Sequence, residues 1–284
     1  MIAETHLERA AAFLGLRDPR DVVVLRDLGG MTNTGFVFAS VHDPDVKYLY
    51  RIPGEGANEL VDRRREIDFF AMLAGREADC IDAPLYIEPG GVKITAFYDQ
   101  ATEFDPLAPA DVTLALQLMH RVHAVDDHGG LSPFRLYDEC VKYEGLLAGW
   151  EHEVVPDQVL RDQQAVLDAG RQVVSHVDAV YANMLHVKNY AKLIDFEYVG
   201  TANEFTDPAM WAIYAYYDPD QTAALLEGYV GRSPTAAERR QYHACLSMSS
   251  YLWYLWSEYK ERKGVAFTDY KRRMLEYAYA YAPA

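Results

Sequence analysis

Residues 175–186, SHVDAVYANMLH, place a carboxylate and an amide five positions apart, at Asp178 and Asn183. A second carboxylate, Asp195, follows in LIDFEY. An aspartate next to a hydroxyl group can orient that hydroxyl and accept its proton during phosphoryl transfer. Amide and carboxylate oxygens are hard ligands that suit Mg²⁺. We therefore predict that Asp178 is a catalytic base and that Asn183 and Asp195 bind magnesium.

The specificity of this prediction depends on the residues between the two carboxylates. The pattern H-x-D-x-x-x-x-N is weak on its own, because short polar loops often contain such residues. The hairpin predicted for NMLHVKNYAKLID strengthens it, since a hairpin brings Asn183 and Asp195 side by side. We expect His176 to be structural, with its ring bonded to the backbone rather than acting as a base.

A turn near the N-terminus is a candidate phosphate-binding element. In LGGMTNTGF, Gly30 allows backbone amides to approach phosphate oxygens, and Thr32, Asn33 and Thr34 add polar donors. The same stretch also fits an ordinary hairpin turn between two β-rich runs. The turn by itself does not decide between these two interpretations.

Arg51 lies in the middle of the strand-like segment YLYRIP, among apolar neighbours. An unpaired guanidinium there would be costly, so Arg51 requires an anionic partner. We expect Glu66, on the helix that follows, to supply one carboxylate and the nucleotide phosphates to supply the other anion. A surface arginine on an edge strand, with a solvated helix acid, is the alternative.

Hydrophobic periodicity divides the chain into a sheet-rich and a helical region. A hairpin and the strand KYLYRIP precede a helix capped by Asn58, and two more strands surround the turn PGG. After residue 100, helical spacing predominates around two short β-like pieces. We therefore predict an α+β chain with an N-terminal nucleotide-binding region at 1–100 and a C-terminal region at 101–284. Adenine contacts are expected from backbone groups near the connection, at Phe97, Tyr98 and Asp99.

The composition favours a small cationic substrate over large anionic partners. The 284 residues carry a formal net charge of −16, which would repel nucleic acid and anionic lipid, although this charge also serves solubility alone. Three scattered cysteines indicate buried thiols in a reducing compartment, so we expect a cytoplasmic protein. The sequence predicts no membrane span and no signal peptide, and its N-terminus resembles an amphipathic helix.

Four motifs occur in order along the chain: GGMTNTGFVF, YLYRIPGEGANELVDRRRE, HVDAVYANML and LIDFEYVGTANEFTDPA. Together they resemble the choline/ethanolamine kinase family, in particular bacterial choline kinases, within the kinase-like group that includes aminoglycoside phosphotransferases. The resemblance covers residues 25–270. It implies a two-lobed protein-kinase-like fold, with a small antiparallel β N-lobe that holds one helix and a larger, mostly helical C-lobe. It also implies ATP- and Mg²⁺-dependent phosphorylation of a small amino alcohol, with choline giving phosphocholine and ADP.

The resemblance also implies roles for individual residues. Asp178 matches the catalytic base of the family, and Asn183 and Asp195 match its metal-binding residues. Arg51 matches an arginine that contacts phosphates, where many kinases use lysine. Glu197 matches a motif residue that lines the site or supports the metal ligands.

The substrate pocket is predicted from its aromatic residues. A quaternary ammonium cannot donate hydrogen bonds, so aromatic faces and nearby negative charge bind it. Trp253 and Trp256 share one helical face, which by spacing alone favours core packing. With the resemblance, we predict that they and Tyr270 wall the pocket. Two positions depart from the family: Val177 replaces an asparagine in the catalytic loop, and Tyr214 stands where relatives often carry an acid.

Three functional hypotheses follow. The first is a kinase for choline, with ethanolamine or a related amino alcohol as the nearer alternative. The second is a phosphotransferase for a larger hydroxylated substrate such as an aminoglycoside, which would favour carboxylates over aromatics around the cation. The third is a nucleotide-binding pseudokinase without catalytic activity. The H-x-x-H pair His120 and His123 is expected to be structural, because no further ligand cluster accompanies it.

Overall fold

A computed structural model describes residues 2–29, 33–76 and 78–282 of the chain. Two residues of the predicted phosphate-binding turn, Gly30 and Thr32, lie outside these ranges. The strands on either side of the turn are described. β1 (Val22–Leu28) pairs antiparallel with β2 (Asn33–Ser40), which confirms the predicted hairpin.

The N-terminal region is built on a five-stranded antiparallel sheet with the strand order β1-β2-β3-β5-β4. The remaining strands are β3 (Asp43–Pro53), β4 (Tyr86–Ile87) and β5 (Lys93–Ala96). The predicted amphipathic helix, α1 (Glu4–Phe13), packs on one face of this sheet together with Phe36, Phe38 and Tyr50. Because successive strand residues alternate between faces, Arg51 lies on the opposite face.

The helix that follows β3 begins later than predicted. A single turn, α2 (Ala57–Leu60), precedes α3 (Arg63–Leu73), so this region holds more than one helix. Asp62 caps α3 by accepting the backbone N–H of Arg64 at 3.0 Å. The prediction that Asn58 caps this helix is therefore wrong, because the chain becomes extended at Val61 between the two helices.

The C-terminal region is mostly helical. Its helices are α4 (Pro109–His123), α5 (Leu136–Leu146), α6 (Asp157–Asp168), α7 (Thr206–Tyr214), α8 (Pro219–Val230), α9 (Ala236–Arg262) and α10 (Thr268–Ala280). One small sheet has the order β6-β8-β9, with β6 at Thr102–Glu103, β8 at Met184–Val187 and β9 at Tyr190–Leu193. Another pairs β7 (Gln172–Ser175) with β10 (Gly200–Asn203).

α9 is the centre of the helical region. A capping box between Thr235 and Glu238 fixes its start, and nearly every residue from Tyr242 to Lys260 is buried. α5, α6, α7 and α10 pack against it. This packing brings Trp253 and Trp256 against residues from several other elements of the chain.

The α+β organisation is confirmed, and three further details differ from prediction. α7 was missed because its residues are apolar on all sides and therefore show no helical periodicity. β10 was missed because a four-residue strand gives little signal. The strand predicted for AKLIDFEYV ends at Leu193, because Asp195 adopts a positive φ of 67°. Among the helices in the described ranges, none has the length and apolar character needed to cross a membrane.

The close pairing of β2 and β3 leads us to expect that a substitution at Gly35 destabilises the protein. A Cβ atom added to Gly35 would lie 2.2 Å from the backbone carbonyl oxygen of Tyr50, so Gly35→Ala forces the strands apart. We expect the free energy of unfolding to fall by about 1–3 kcal/mol, measured by urea denaturation. Gly90→Ala is the control, because a Cβ there meets no atom within 4 Å. Equal stability of the two variants would contradict this account.

Candidate active site

A cavity of about 380 Å³ brings most of the predicted site residues together. Its walls include Asn33, Arg51, Asp178, Asn183, Asp195, Glu197, Tyr214, Trp253, Trp256 and Tyr270. These residues come from both the N-terminal sheet and the helical region. Carboxylates and cations lie at one part of the wall, and aromatic rings form another.

The predicted hairpin positions Asn183 and Asp195, and Asn183 in turn contacts Asp178. The Asn183 side chain donates hydrogen bonds to the Asp178 carbonyl oxygen at 2.9 Å and to its carboxylate at 3.1 Å. The backbone N–H of Ile194 donates to the Asn183 carbonyl at 2.9 Å, which places Asp195 beside Asn183 at the open end of β8 and β9. The spacing of Asp178, Asn183 and Asp195 therefore produces one cluster in space.

A buried aspartate, Asp207, holds the backbone just before Asp178. Its carboxylate accepts the N–H groups of His176 at 3.0 Å and Val177 at 2.7 Å, and its Oδ2 also lies 2.8 Å from Nε2 of His123. Val177 has a φ of 71°, which is strained for a β-branched residue. The two hydrogen bonds to a charged acceptor stabilise this conformation. His123 also bonds the Tyr229 hydroxyl, so it contributes to a structural network.

His176 connects the Asp178 loop to the Asp195 segment. Its Nε2 lies 2.8 Å from the carbonyl oxygen of Ile194, so the ring bonds to backbone as expected. Asp195 itself has a φ of 67°, in the left-handed region. Phe196 stacks on Phe69 of α3 with ring centroids 5.0 Å apart, which fixes the residue after Asp195 against that helix.

The Asp195 carboxylate binds two cations, one at each oxygen. Nη2 of Arg51 donates to Oδ2 at 2.8 Å, and Nζ of Lys93 donates to Oδ1 at 3.2 Å. Lys93 also donates to Oε1 of Glu66 at 2.5 Å. The expected pair of Arg51 with Glu66 is therefore not formed, because β5 places Lys93 between them. Sequence reasoning missed Lys93, whose only local signal is a charge in the strand-like segment VKITAF.

A second charged cluster lies around Glu197. Nη1 of Arg63 donates to the Glu197 carboxylate at 2.8 Å, and Nδ2 of Asn33 donates to the same oxygen at 3.1 Å. Arg63, which was not predicted as a site residue, is 6% exposed at its side chain and Glu197 is 5% exposed. Asn33 therefore ties the start of β2 to the segment that follows Asp195.

The surroundings shift the pKa values of two carboxyl groups, Asp178 and Asp195, in opposite directions. The pKa of Asp178 is raised to about 8, first by its burial and then by the nearby negative charges of Asp195 and Glu197. Burial also acts to raise the pKa of Asp195, but Arg51 and Lys93 outweigh it and hold that pKa below its usual range. Asp178 therefore retains a proton near neutral pH while Asp195 is ionised.

Some predicted nucleotide contacts lie away from the cavity wall. Thr34 is exposed on β2. The N–H of Phe97 donates to the Lys47 carbonyl at 3.0 Å, so this amide is not available to adenine. The Tyr98 hydroxyl bonds Asp82 at 2.6 Å, and the Asp99 carboxylate bonds Nζ of Lys47 at 2.5 Å. Within the segment 97–99, adenine contacts depend on the other backbone groups.

Seven aromatic residues form a continuous wall of the cavity. Their neighbouring ring centroids are 5.0–6.3 Å apart, in the order Tyr198, Trp253, Trp256, Phe267, Tyr270, Tyr214 and Tyr181. Sequence reasoning missed Tyr198, Phe267 and Tyr181, and also Tyr216 at the same cavity. Tyr198 and Tyr181 lie far along the chain from the predicted aromatic residues, so no local pattern groups them with the wall. Phe267 and Tyr216 lie within three residues of Tyr270 and Tyr214, and that proximity was the available signal.

The oxygen donors of the cavity fit a magnesium ion. Asn183 has an amide oxygen, Asp195 is an ionised carboxylate, and both line the same wall. The Asn183 NH₂ group is directed at Asp178, which leaves its carbonyl oxygen as the atom suited to a metal. No cluster of three or more His, Cys, Asp or Glu suited to a metal occurs in the described parts of the chain.

Known proteins share this fold. No protein-family model matches the chain. It is 24% identical over 270 residues to Protein LicA of Haemophilus influenzae, covering 89% of this chain and 78% of that protein. The crystal structure of choline kinase LicA from Streptococcus pneumoniae superposes with a TM-score of 0.76 at 20% identity, and 96% of each chain is covered.

Two further structures are similar to this chain. LicA in complex with AMP has a TM-score of 0.73 at 19% identity, with 98% of this chain and 99% of that chain covered. The ADP-bound aminoglycoside phosphotransferase APH(2'')-Ib has a TM-score of 0.61 at 14% identity, with 98% and 97% covered. The predicted kinase-like fold and the resemblance to choline kinases are confirmed. These similarities support the prediction of a phosphotransferase enzyme.

The raised pKa of Asp178 predicts a pH-dependent stability. The unfolded carboxyl ionises near 3.8, whereas the folded one keeps its proton up to about pH 8. Asp178 therefore makes its full contribution to the free energy of unfolding below pH 3.8. This contribution is lost as the pH rises through 8. We expect the unfolding free energy of the unsubstituted protein to fall relative to Asp178→Asn between pH 5 and pH 8, by about 1–3 kcal/mol.

Urea denaturation of both proteins at pH 5, 6, 7 and 8 measures this difference. Asp220→Asn, at an exposed position on α8, is the matched control and is expected to follow the unsubstituted protein at each pH. Parallel stability curves for Asp178→Asn and the unsubstituted protein would show that Asp178 is ionised in the folded state.

Proposed function

We propose that this chain is an ATP- and Mg²⁺-dependent choline kinase that produces phosphocholine and ADP. One observation carries the proposal: a single cavity joins the aromatic wall to Asp178, Asn183 and Asp195. Residues 1–100 are proposed as the nucleotide-binding lobe and residues 101–284 as the catalytic and substrate-binding lobe. We place the enzyme in the cytoplasm, where its three buried free cysteines stay reduced.

The aromatic wall supports a quaternary ammonium as the substrate cation. Trimethylammonium has no N–H group, so it gains from aromatic faces and does not require hydrogen-bond acceptors. Trp253 and Trp256 present buried indole rings, and Tyr214 and Tyr270 lie 6.3 Å apart between ring centroids. Glu197 on the same cavity adds negative charge. A primary ammonium gains less from aromatic faces, because its N–H groups also require hydrogen-bond acceptors in place of water.

Asp178 is proposed as the base that receives the proton of the choline hydroxyl. Asn183 orients the carboxylate through its bond at 3.1 Å, and Asp207 fixes the preceding backbone. A substrate cation in the cavity offsets the negative charges of Asp195 and Glu197, which lowers the pKa of Asp178 toward the ionised form that accepts a proton. Arg51 lies on the same wall and is proposed to contact the phosphates.

Asn183 and Asp195 are the residues that would hold Mg²⁺. When bound, the ion neutralises charge on the phosphates of ATP. Asp195 is prepared for this role because its pKa is below the usual range, so its carboxylate is ionised before a metal binds. Glu197 would support the site through Arg63, which contacts it at 2.8 Å.

Two alternative functions are less well supported. An aminoglycoside is polar and carries several ammonium groups, which favour a carboxylate-lined site over an aromatic wall. A pseudokinase that binds nucleotide without turnover would not require Asp178, Asn183 and Asp195 to share one wall. Ethanolamine remains the nearest alternative substrate, because it has the same hydroxyl and differs only in its ammonium group.

Turnover by an Asp178 variant tests the proposed base. We expect choline to stimulate Mg²⁺-dependent ADP release from ATP, and Asp178→Asn to lower that rate by about 10²–10⁴-fold. ADP binding, measured by calorimetry, is expected to stay intact in this variant. Ethanolamine and an aminoglycoside are offered separately, and Asp220→Asn is the control. Unchanged turnover by Asp178→Asn would contradict the catalytic role, and ADP binding without stimulation by any alcohol would favour the pseudokinase.

A substitution at Tyr214 tests substrate selectivity. Tyr214→Glu places a carboxylate in the aromatic wall, and a charged hydrogen bond to a primary ammonium adds about 1.5–3 kcal/mol. We expect the ratio of kcat/KM for choline to that for ethanolamine to fall by at least about tenfold. The ratio cancels any general loss caused by added charge near Asp178. Tyr214→Phe is the control, and an equal change in both variants would refute the charge argument.

A further inference from the structure

Lys93 is a buried cation placed directly beside another cation. In the register of the sheet, Lys93 of β5 lies opposite Arg51 of β3. The side chain of Lys93 is 4% exposed, compared with 21% for Arg51. Like charges in opposite positions destabilise a sheet unless anions compensate them. The protein therefore has to supply carboxylates at this point, and it supplies two.

Asp195 and Glu66 provide this compensation from different elements. Asp195 receives Lys93 at one oxygen and Arg51 at the other, at 3.2 and 2.8 Å. Glu66 of α3, with a side chain 2% exposed, accepts Nζ of Lys93 at 2.5 Å. Lys93 is thus the residue that connects the helix acid to Asp195.

In many kinases one lysine makes two contacts that are made here by two different residues. There, a lysine on the third strand contacts both the phosphates and the helix acid. Here the third strand carries Arg51, which lines the cavity but bonds Asp195 instead of Glu66. The helix acid is held from the neighbouring strand by Lys93, which lies behind the cavity wall.

We propose that Lys93 is a positioning residue that holds the Asp195 carboxylate in place for magnesium, whereas Arg51 is the cation that contacts phosphate. This inference rests on the proposed nucleotide- and metal-binding function. The left-handed φ of Asp195 supports it, because such a conformation persists only where neighbouring groups determine it. The stacked rings of Phe69 and Phe196 hold the same segment against α3. Lys93 adds the charged connection at Asp195 itself.

The two roles predict different effects on ADP binding. For Lys93→Met, we expect the gain in ADP affinity on adding Mg²⁺ to fall by about 10–100-fold, as for other residues that orient metal ligands. Its ADP affinity without Mg²⁺ is expected to stay within about threefold of the unsubstituted protein, which is less than the tenfold change of a lost contact. Arg51→Met is expected to weaken ADP binding in both conditions. Isothermal titration calorimetry with and without Mg²⁺ measures all four affinities.

A double variant separates positioning from stability. Lys93→Met leaves the buried Glu66 carboxylate unpaired, which is strongly destabilising. In Lys93→Met/Glu66→Gln this carboxylate is neutral, so we expect the thermal midpoint to recover while the Mg²⁺-dependent gain stays lost. Lys263→Met is the control, because Lys263 is exposed at the end of α9. Recovery of the Mg²⁺-dependent gain in the double variant would overturn the proposal.

Other results also separate this inference from the proposed function. If Lys93→Met lost ADP affinity without Mg²⁺ as strongly as Arg51→Met, Lys93 would be a phosphate ligand and the proposal would be wrong. If the unsubstituted protein bound ADP more tightly with Mg²⁺ but gave no choline-stimulated turnover, the proposed function would fail while the Lys93 test remained decisive. If Mg²⁺ gave no gain in the unsubstituted protein, the inference would be overturned.

Discussion

The Asp195 carboxylate is the interaction on which the rest of the site depends. It lies between two cations from adjacent strands, and without it Arg51 and Lys93 would repel each other in a buried sheet. Through Lys93 it fixes Glu66 on α3, and through the His176 bond to Ile194 it is connected to the loop of Asp178. The residues proposed to bind metal and phosphate and to accept the proton therefore share one charged centre.

Two residues with a left-handed backbone conformation lie at the candidate site. Val177 and Asp195 both have φ values in the left-handed region, and they directly precede Asp178 and Phe196. Such conformations cost of order 1–3 kcal/mol each and require support from the surroundings. Asp207 gives this support at Val177 through two backbone hydrogen bonds. A side chain that touches no substrate thereby determines where the proposed base points.

The sequence predicted the parts of the site that lie close together along the chain. One hairpin joins Asn183 to Asp195, and Asp178 lies five residues before Asn183 and accepts its side-chain hydrogen bonds, so their spacing was sufficient to bring them together. The partner of Arg51 was predicted incorrectly, because the register of β3 against β5 decides it and no local pattern encodes that register. Tyr181 and Tyr198 were missed because they join the aromatic wall only through tertiary packing. Hydrophobic periodicity predicted that a sheet region precedes a helical region. It did not predict α7, because that helix is uniformly apolar.

The ion pairs between the two regions have a kinetic consequence. Arg51 with Asp195 and Arg63 with Glu197 join the N-terminal sheet and α3 to the segment that follows β9. Any conformer that separates these elements must expose or leave unpaired several charges, so it is a minor population at equilibrium. A ligand that enters only through such a conformer binds with an apparent affinity reduced by that population. For a ligand of that kind, the rate of exchange depends on how often the ion pairs break, and domain motions occur on the microsecond-to-millisecond scale.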